Sequence, residues 1–371
     1  MEQRVKKRVI VSVTNDLVSD NRVHKTCMSL TNMGFNVLLV GRLLPGSPIL
    51  TPRSYSVKRM KLFFHKGFLF YACYNMRLFL LLLFTSFDLL LANDLDTLPA
   101  NFLVSRLKNK PIVYDSHEYF TEVPELVSRH KVRSVWEWLE RKMVPKLKYA
   151  YTVSGSIAET YTNKYGVEFR TVRNFPFLRE QKVGKRVQIS GEKMILYQGA
   201  VNQGRGLENA IRAMKYISGA TLSIAGSGDI LEQLRHLVKE EGLGGRVRFF
   251  GRLPFDDLSN LTLRADLGLS LEEDLGLNYR YALPNKLFDY VQANVPVLVS
   301  DLPEMSAIVR KYSIGEVAVS SEPEDLAAYF AEMLFNEEKR AIWKKNLEKA
   351  ARELTWENEE PVLKEIFQPL L

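Results

Sequence analysis

The chain has 371 residues, 46% hydrophobic and 25% charged, an ordinary globular composition with length enough for two domains and their cores. Its two cysteines, Cys27 and Cys73, exclude a disulfide framework or a cysteine-built metal cluster. The net charge of +8 is uneven: residues 1–180 hold 27 of the 51 Lys+Arg and 15 of the 43 Asp+Glu, a net of +12, leaving −4 for the remainder. No nucleic-acid-binding motif accompanies that excess, so nucleic acid is not the expected partner.

In chain order, Val9 to Val13 reads as a first strand, with no cleaved leader expected before it and a reducing cytoplasmic setting implied. Arg22 to Met33 follows as a helix with Val23, Cys27 and Leu30 inward, stopped by Gly34, and Phe35 to Val40 is the next strand. A basic segment with Arg53, Lys58, Arg59, Lys61 and Lys66 then precedes an apolar stretch, Phe68 to Tyr71 and Leu78 to Phe84. Its longest uncharged run, Leu78 to Phe87, is well short of the roughly 20 residues a bilayer span needs. Two alternatives stand for it: a helix lying on an anionic membrane surface, or one buried against the first sheet.

Alternation continues through Leu89 to Leu91, a helix near Thr97 to Leu107, Ile112 to Tyr114, a long helix carrying Trp136, Leu139 and Met143, Tyr151 to Ser154, and a helix ending at Tyr165. Arg179 to Glu192, polar and without a clear period, reads as a linker, and a second β/α series opens at Met194. The expected fold is α/β, two Rossmann-like doubly wound parallel sheets.

The second series carries the chemistry. Ile195 to Gly199 reads as a buried strand, and the loop to Gly206 contains Gly204 and Gly206, which permit close backbone approach, with the cation Arg205 between them. The same pattern also serves as a plain strand-to-helix turn. Further on, Pro284 starts a helix in which Lys286 and Asp289, three apart, share a face. A cation beside a carboxylate suits a nucleotide sugar, with phosphates for the one and a ribose diol for the other; the alternative is an ordinary surface ion pair. His117 follows the strand Ile112 to Tyr114, at the end of a sheet where α/β folds place their sites.

Tyr197 to Gly206, Ile224 to Gly228, Val247 to Gly251, Ala265 to Ser270 and Leu283 to Val297, with Asp20 to Val23, Asn93-Asp94 and Asp115 to Glu118 before them, occur in the order and spacing of glycosyltransferase family 4. The chain resembles that family, the GT-B class once called group 1 glycosyltransferases, over nearly its whole length. The resemblance implies two Rossmann-like domains facing across a cleft: residues 1–178 binding acceptor and facing a membrane, 193–352 binding the nucleotide sugar, and 353–371 as a terminal helix returning to the first. It implies a retaining, metal-independent, hexosyltransferase-type enzyme that needs no cofactor beyond its nucleotide diphosphate sugar. Its acceptor would be a glycan or lipid-linked glycan, in bacterial cell-surface polysaccharide or lipopolysaccharide biosynthesis. The enzyme would be cytoplasmic and peripheral on the inner face of the cytoplasmic membrane.

By position, Arg205 and Lys286 would neutralise the leaving diphosphate and His117 would face the donor sugar. Gly199, Gly204, Gly206, Gly226, Arg252, Asn285 and Asp289 would hold the donor, with Asp289 in the ribose role. Asn15, Asp16, Asp20, Asp94 and Glu118 would lie on the acceptor side, although Asp20 is equally placed to cap the helix at Arg22. Two departures are visible: Ala200 stands where the family often has an arginine, and Tyr281 replaces its first glutamate, with Glu273 or Asn278 as candidates to reach the sugar instead. Asp94-Leu95-Asp96 spells a D-x-D pattern but is not expected to bind metal. An epimerase on the same fold and a noncatalytic sugar-binding subunit are the competing readings.

Overall fold

The computed structural model describes residues 6–18, 20–123, 126, 129–178 and 191–371. The linker expected at 179–192 lies outside them apart from its last two residues. The chain divides into two compact units, residues 1–174 with 359–371, and residues 175–358.

The first unit is a parallel sheet of seven strands: β1 (Arg8–Asp16), β2 (Asn36–Leu43), β3 (Ser56–Lys61), β4 (Leu89–Asn93), β5 (Ile112–Ser116), β6 (Tyr149–Thr152) and β7 (Phe169–Thr171), in the order β3-β2-β1-β4-β5-β6-β7. Strands covered by helices on both faces read as unbroken apolar runs, and Val9 to Val11 and Leu89 to Leu91 are fully buried. The basic segment contains β3, which sits at the sheet edge, where charged side chains discourage further pairing. Residues 359–371 belong to this unit, and Phe367 packs its ring against Phe35 and Tyr151 at 6.3 and 6.4 Å.

The apolar stretch is one helix, Gly67–Phe84. Phe70, Tyr74, Leu78 and Leu82, four apart, make its buried stripe, and Tyr74 donates its hydroxyl to Val13 O at 2.7 Å. Part of its surface is open: Phe68, Leu69, Met76, Leu80 and Phe84 are exposed, as is Phe63 just before it. Among the described residues it is the one helix long and apolar enough to cross a membrane by length and composition. The helix thus packs one face within the first unit, as the second alternative expects, and leaves part of its surface bare.

The second unit is a six-stranded parallel sheet of β8 (Lys193–Gln198), β9 (Ala220–Ala225), β10 (Val247–Gly251), β11 (Leu267–Ser270), β12 (Val297–Ser300) and β13 (Gly315–Ala318), ordered β10-β9-β8-β11-β12-β13. The chain order reverses between β8 and β11, and a crevice opens beyond the carboxyl ends of the strands at such a point. The helix Asn285–Gln292 lies against this centre, and the buried Tyr290 donates its hydroxyl to Leu196 O at 3.0 Å while accepting from Gln198 N at 3.2 Å. The two doubly wound parallel sheets expected from the sequence are therefore present.

Gly268 in β11 is what lets Tyr290 lie so close, since a Cβ there would stand 2.5 Å from its ring. Gly268→Ala should lower stability by about 1–3 kcal/mol, read as a lower denaturant midpoint in urea unfolding; an unchanged midpoint would show that the ring yields freely.

Candidate functional site

At the switch point of the second unit, three charged side chains from three different segments meet. Arg205 comes from the loop after β8, Lys286 from the first turn of Asn285–Gln292, and Glu272 from just beyond β11. The Glu272 side chain is 0% exposed; its Oε1 lies 2.5 Å from Lys286 Nζ and 3.3 Å from Arg205 Nη1, while its Oε2 accepts from Ser270 Oγ at 2.7 Å. Below the cations lie aromatic faces, Tyr197 at 4.3 Å from Lys286 Nζ and Tyr279 at 5.0 Å from Arg205 Cζ. Arg205 Nε is buried with no protein partner, so the guanidinium keeps donor capacity.

Burial alone would raise the Glu272 carboxyl, but Lys286 and then Arg205 outweigh it and hold it ionised below the usual range. Burial pulls Lys286 down, Glu272 pushes it up and Arg205 pulls it down, leaving it lowered from its ordinary value. A buried carboxylate of this kind is costly unless paired and hydrogen-bonded, and here it is both.

The expected donor residues cluster around this triad. Gly206 has φ 67°, and a Cβ there would stand 2.4 Å from Leu271 O, so only glycine allows the loop to lie on β11's extension. Gly226 has φ 154° and packs on Gly199, whose carbonyl would be 1.8 Å from a Cβ. Gly204 O accepts from Glu273 N at 2.9 Å, tying the glycine loop to the segment after β11. Asp289 is half-buried and accepts from Gln198 Nε2 at 2.9 Å, with Gln198 held in turn by Thr262 Oγ1 at 2.7 Å. Asn285 and Arg252 are exposed, after β10 in the case of Arg252.

In the first unit a second cluster forms at the ends of β4 and β5. His117 Nδ1 is 3.2 Å from Asp94 Oδ2, and His117 Nε2 is 3.2 Å from both Asp115 Oδ2 and Asn93 Oδ1. Asp94 has φ 59°, a left-handed conformation that brings its Oδ1 to accept from His117 N at 2.7 Å. Asp115 is clamped by Arg22, at 2.7 Å to Nη2 and 3.1 Å to Nε, and Arg22 also donates to Val172 O at 2.8 Å. Burial would lower the His117 pKa, but Asp94 and then Asp115 raise it to about 9, so the ring is an imidazolium and a hydrogen-bond donor at neutral pH. Burial and the neighbouring Asp94 push Asp96 up to about 8, and its Oδ2 accepts from Thr14 Oγ1 at 2.6 Å.

The D-x-D carboxylates thus turn to separate partners, His117 and Thr14. Asp20, open between two roles in the sequence, accepts from Val23 N at 3.1 Å and so caps its helix; it also takes Asn15 Nδ2 at 3.0 Å. Asp16, at the end of β1, accepts from Leu44 N just after β2 at 3.1 Å and lies 3.9 Å from Arg59 on β3, contacts within the first unit's sheet edge. Glu118 follows His117, and Glu118 O accepts from Ser116 Oγ at 2.7 Å. Sequence reasoning missed Glu272, Gln198, Asp115 and Arg22 as members of these clusters. The signal for Glu272 was its place two residues beyond a strand's carboxyl end; Asp115 and Arg22 lie in motifs already quoted.

Comparison with known proteins agrees across most of the chain. The family described as glycosyl transferases group 1 matches residues 179–350, and glycosyltransferase family 4 matches residues 20–175. An uncharacterized glycosyltransferase of Methanocaldococcus jannaschii is 29% identical over 184 residues, 45% of each chain, and the glycogen synthase of Mycobacterium tuberculosis is 26% identical over 210 residues, 54% of this chain and 47% of that one. The chain therefore spans about half the length of the curated relatives it matches. Among solved structures, sucrose-phosphate synthase from Thermosynechococcus elongatus has a TM-score of 0.80 at 16% identity, covering 98% of this chain and 99% of that one. Anabaena HepE in complex with UDP-glucose scores 0.75 at 13% identity, covering 98% and 100%, and WaaG, a glycosyltransferase involved in lipopolysaccharide biosynthesis, scores 0.70 at 15%, covering 96% and 99%. At such identities these likenesses speak to the fold, which is GT-B.

Because the two carboxylates lift the His117 pKa above its unfolded value, their contribution to stability is complete below about pH 6.5 and is lost as pH rises through about 9. NMR titration of the His117 ring should give a midpoint near 9, falling in Asp94→Asn; a midpoint at or under the ordinary histidine value would contradict the cluster's electrostatics.

Proposed function

Since the chain belongs to the group 1, family 4 glycosyltransferases, we propose that it is a retaining glycosyltransferase that moves a sugar from a nucleotide diphosphate donor to a glycan or lipid-linked acceptor. The observation that carries this reading is the convergence of Arg205 and Lys286 at the sheet's switch point, 3.3 and 2.5 Å from one buried carboxylate oxygen. Two cations fixed side by side suit a diphosphate whose charge grows as the sugar leaves, and they supply that neutralisation without a divalent ion or other cofactor. Asp289, steadied by Gln198, is the proposed acceptor for the ribose hydroxyls, and the backbone at Gly251 and Arg252 the place of the base.

His117, carrying its proton at neutral pH with its ring nitrogens held by Asp94 and by Asp115 and Asn93, is in this proposal a fixed positive charge at the end of β5 and not a base. The acceptor oxygen bonds to the anomeric carbon on the face from which the phosphate oxygen departs, and the acceptor's proton passes to that phosphate. The names of the similar structures, HepE with UDP-glucose and WaaG in lipopolysaccharide biosynthesis, support a nucleotide-sugar donor and a cell-surface glycan product. The bare apolar surface of Gly67–Phe84, with Lys61 and Lys66 before the helix and Arg77 within it exposed, supports a peripheral seat on the anionic inner face of the cytoplasmic membrane.

Lys286→Ala and Arg205→Ala should each lower transfer by roughly 100-fold or more, the usual effect of deleting one group that stabilises transition-state charge. Both should also abolish thermal stabilisation by the nucleotide sugar that stabilises the wild type. Near-normal rates in both variants would remove the phosphate assignment, and conversion of the donor without acceptor would point to an epimerase instead. Binding to phosphatidylglycerol vesicles should exceed binding to phosphatidylcholine, weaken with salt, and drop in Phe68→Ser/Phe84→Ser; equal binding by that variant would take the membrane from this face.

A further inference from the structure

Resting on the proposed diphosphate grip, we infer that Glu272 is its resident counter-ion: the carboxylate holds Arg205 and Lys286 in place while no diphosphate is bound, and its charge then limits how tightly the spent nucleoside diphosphate is retained. Both cations share Oε1, at 3.3 and 2.5 Å, and Ser270 Oγ fixes Oε2 at 2.7 Å, so the carboxylate is anchored to the end of β11. Without it, the buried Lys286 and the half-buried Arg205 would face one another with nothing between them, and Lys286 would give up its proton at lower pH. With it, the cluster carries one net positive charge, and the cations are aimed before the ligand arrives.

An anchored carboxylate cannot withdraw far when a diphosphate enters. The incoming phosphate oxygens take the remaining donors of Arg205, whose Nε has no protein partner, and of Lys286, while the like charge of Glu272 stays close by. Glu272 thereby exchanges affinity for readiness: the empty site keeps its geometry, and the product is held less firmly than two cations alone would hold it. The groups facing Lys286 are Glu272, Arg205 and the Tyr197 ring, with Tyr279 under Arg205. Of these Glu272 favours the charged lysine and Arg205 opposes it, so loss of the carboxylate lets Lys286 deprotonate at lower pH.

The test is calorimetric titration of the intact protein and of Glu272→Gln and Glu272→Asp with UDP, GDP, ADP and dTDP, at pH 7 and upward. Glu272→Gln keeps the shape and the bond to Ser270 but removes the charge. It should bind the preferred nucleotide roughly tenfold more tightly at pH 7, and its affinity should fall away at lower pH than that of the wild type. A role confined to packing would weaken binding at every pH. Glu272→Asp keeps the charge but withdraws it by one methylene, and should tighten binding less; it decides the matter should Glu272→Gln not fold. No tightening, or an unmoved alkaline limit, overturns the role given to Glu272. A wild type that binds none of the four overturns the donor-site reading beneath it.

Discussion

The second unit is organised around a buried carboxylate that two cations share. The Glu272 side chain has no exposure, and an ionised group taken that far from water is tolerated only when opposite charge and hydrogen bonds replace its hydration. Lys286, Arg205 and Ser270 do so, and each is delivered by a different piece of the sheet's carboxyl edge. The geometry of the glycine loop, the extension of β11 and the start of the helix Asn285–Gln292 must all be right for the triad to close. That is why Gly206 lies against Leu271 and why Tyr290 can dock over Gly268.

The first unit solves the same problem with reversed sign. His117 is a cation between Asp94 and Asp115, and Asp115 is in turn neutralised by Arg22 on the helix Asn21–Asn32. Coulomb attraction inside a weakly screening interior outweighs desolvation at His117 and Glu272, so the one stays protonated and the other ionised at neutral pH, whereas burial leaves Lys286 lowered from its ordinary value. One cluster fixes a histidine between carboxylates, and the other fixes a lysine and an arginine around an anion. The exposed side of Gly67–Phe84 is an apolar strip on a basic unit.

Much of the fold was legible because parallel strands covered on both faces must be apolar throughout, as Val9 to Val11, Leu89 to Leu91 and Val297 to Val299 are. The edge strand β3 was not, since Lys58, Arg59 and Lys61 suit its exposed position and hide its period. β7, three residues long, is too short to carry a pattern. Arg205, Lys286 and Asp289 stood out through glycine loops and helical spacing, which are local. Glu272 did not, because what makes it special is burial between residues 67 and 14 positions away along the chain. Arg22 and Asp115, 93 apart, are linked only once the sheet forms. Asp20 shows the converse: its spacing from Val23 fitted a cap, and the cap is what it makes.

The most direct measurement is a crystal structure of the protein with its preferred nucleoside diphosphate. The account predicts β-phosphate oxygens within about 3 Å of Lys286 Nζ and the Arg205 guanidinium, with Glu272 still seated on Ser270. A diphosphate bound elsewhere, with the Arg205–Glu272–Lys286 triad undisturbed, would contradict it.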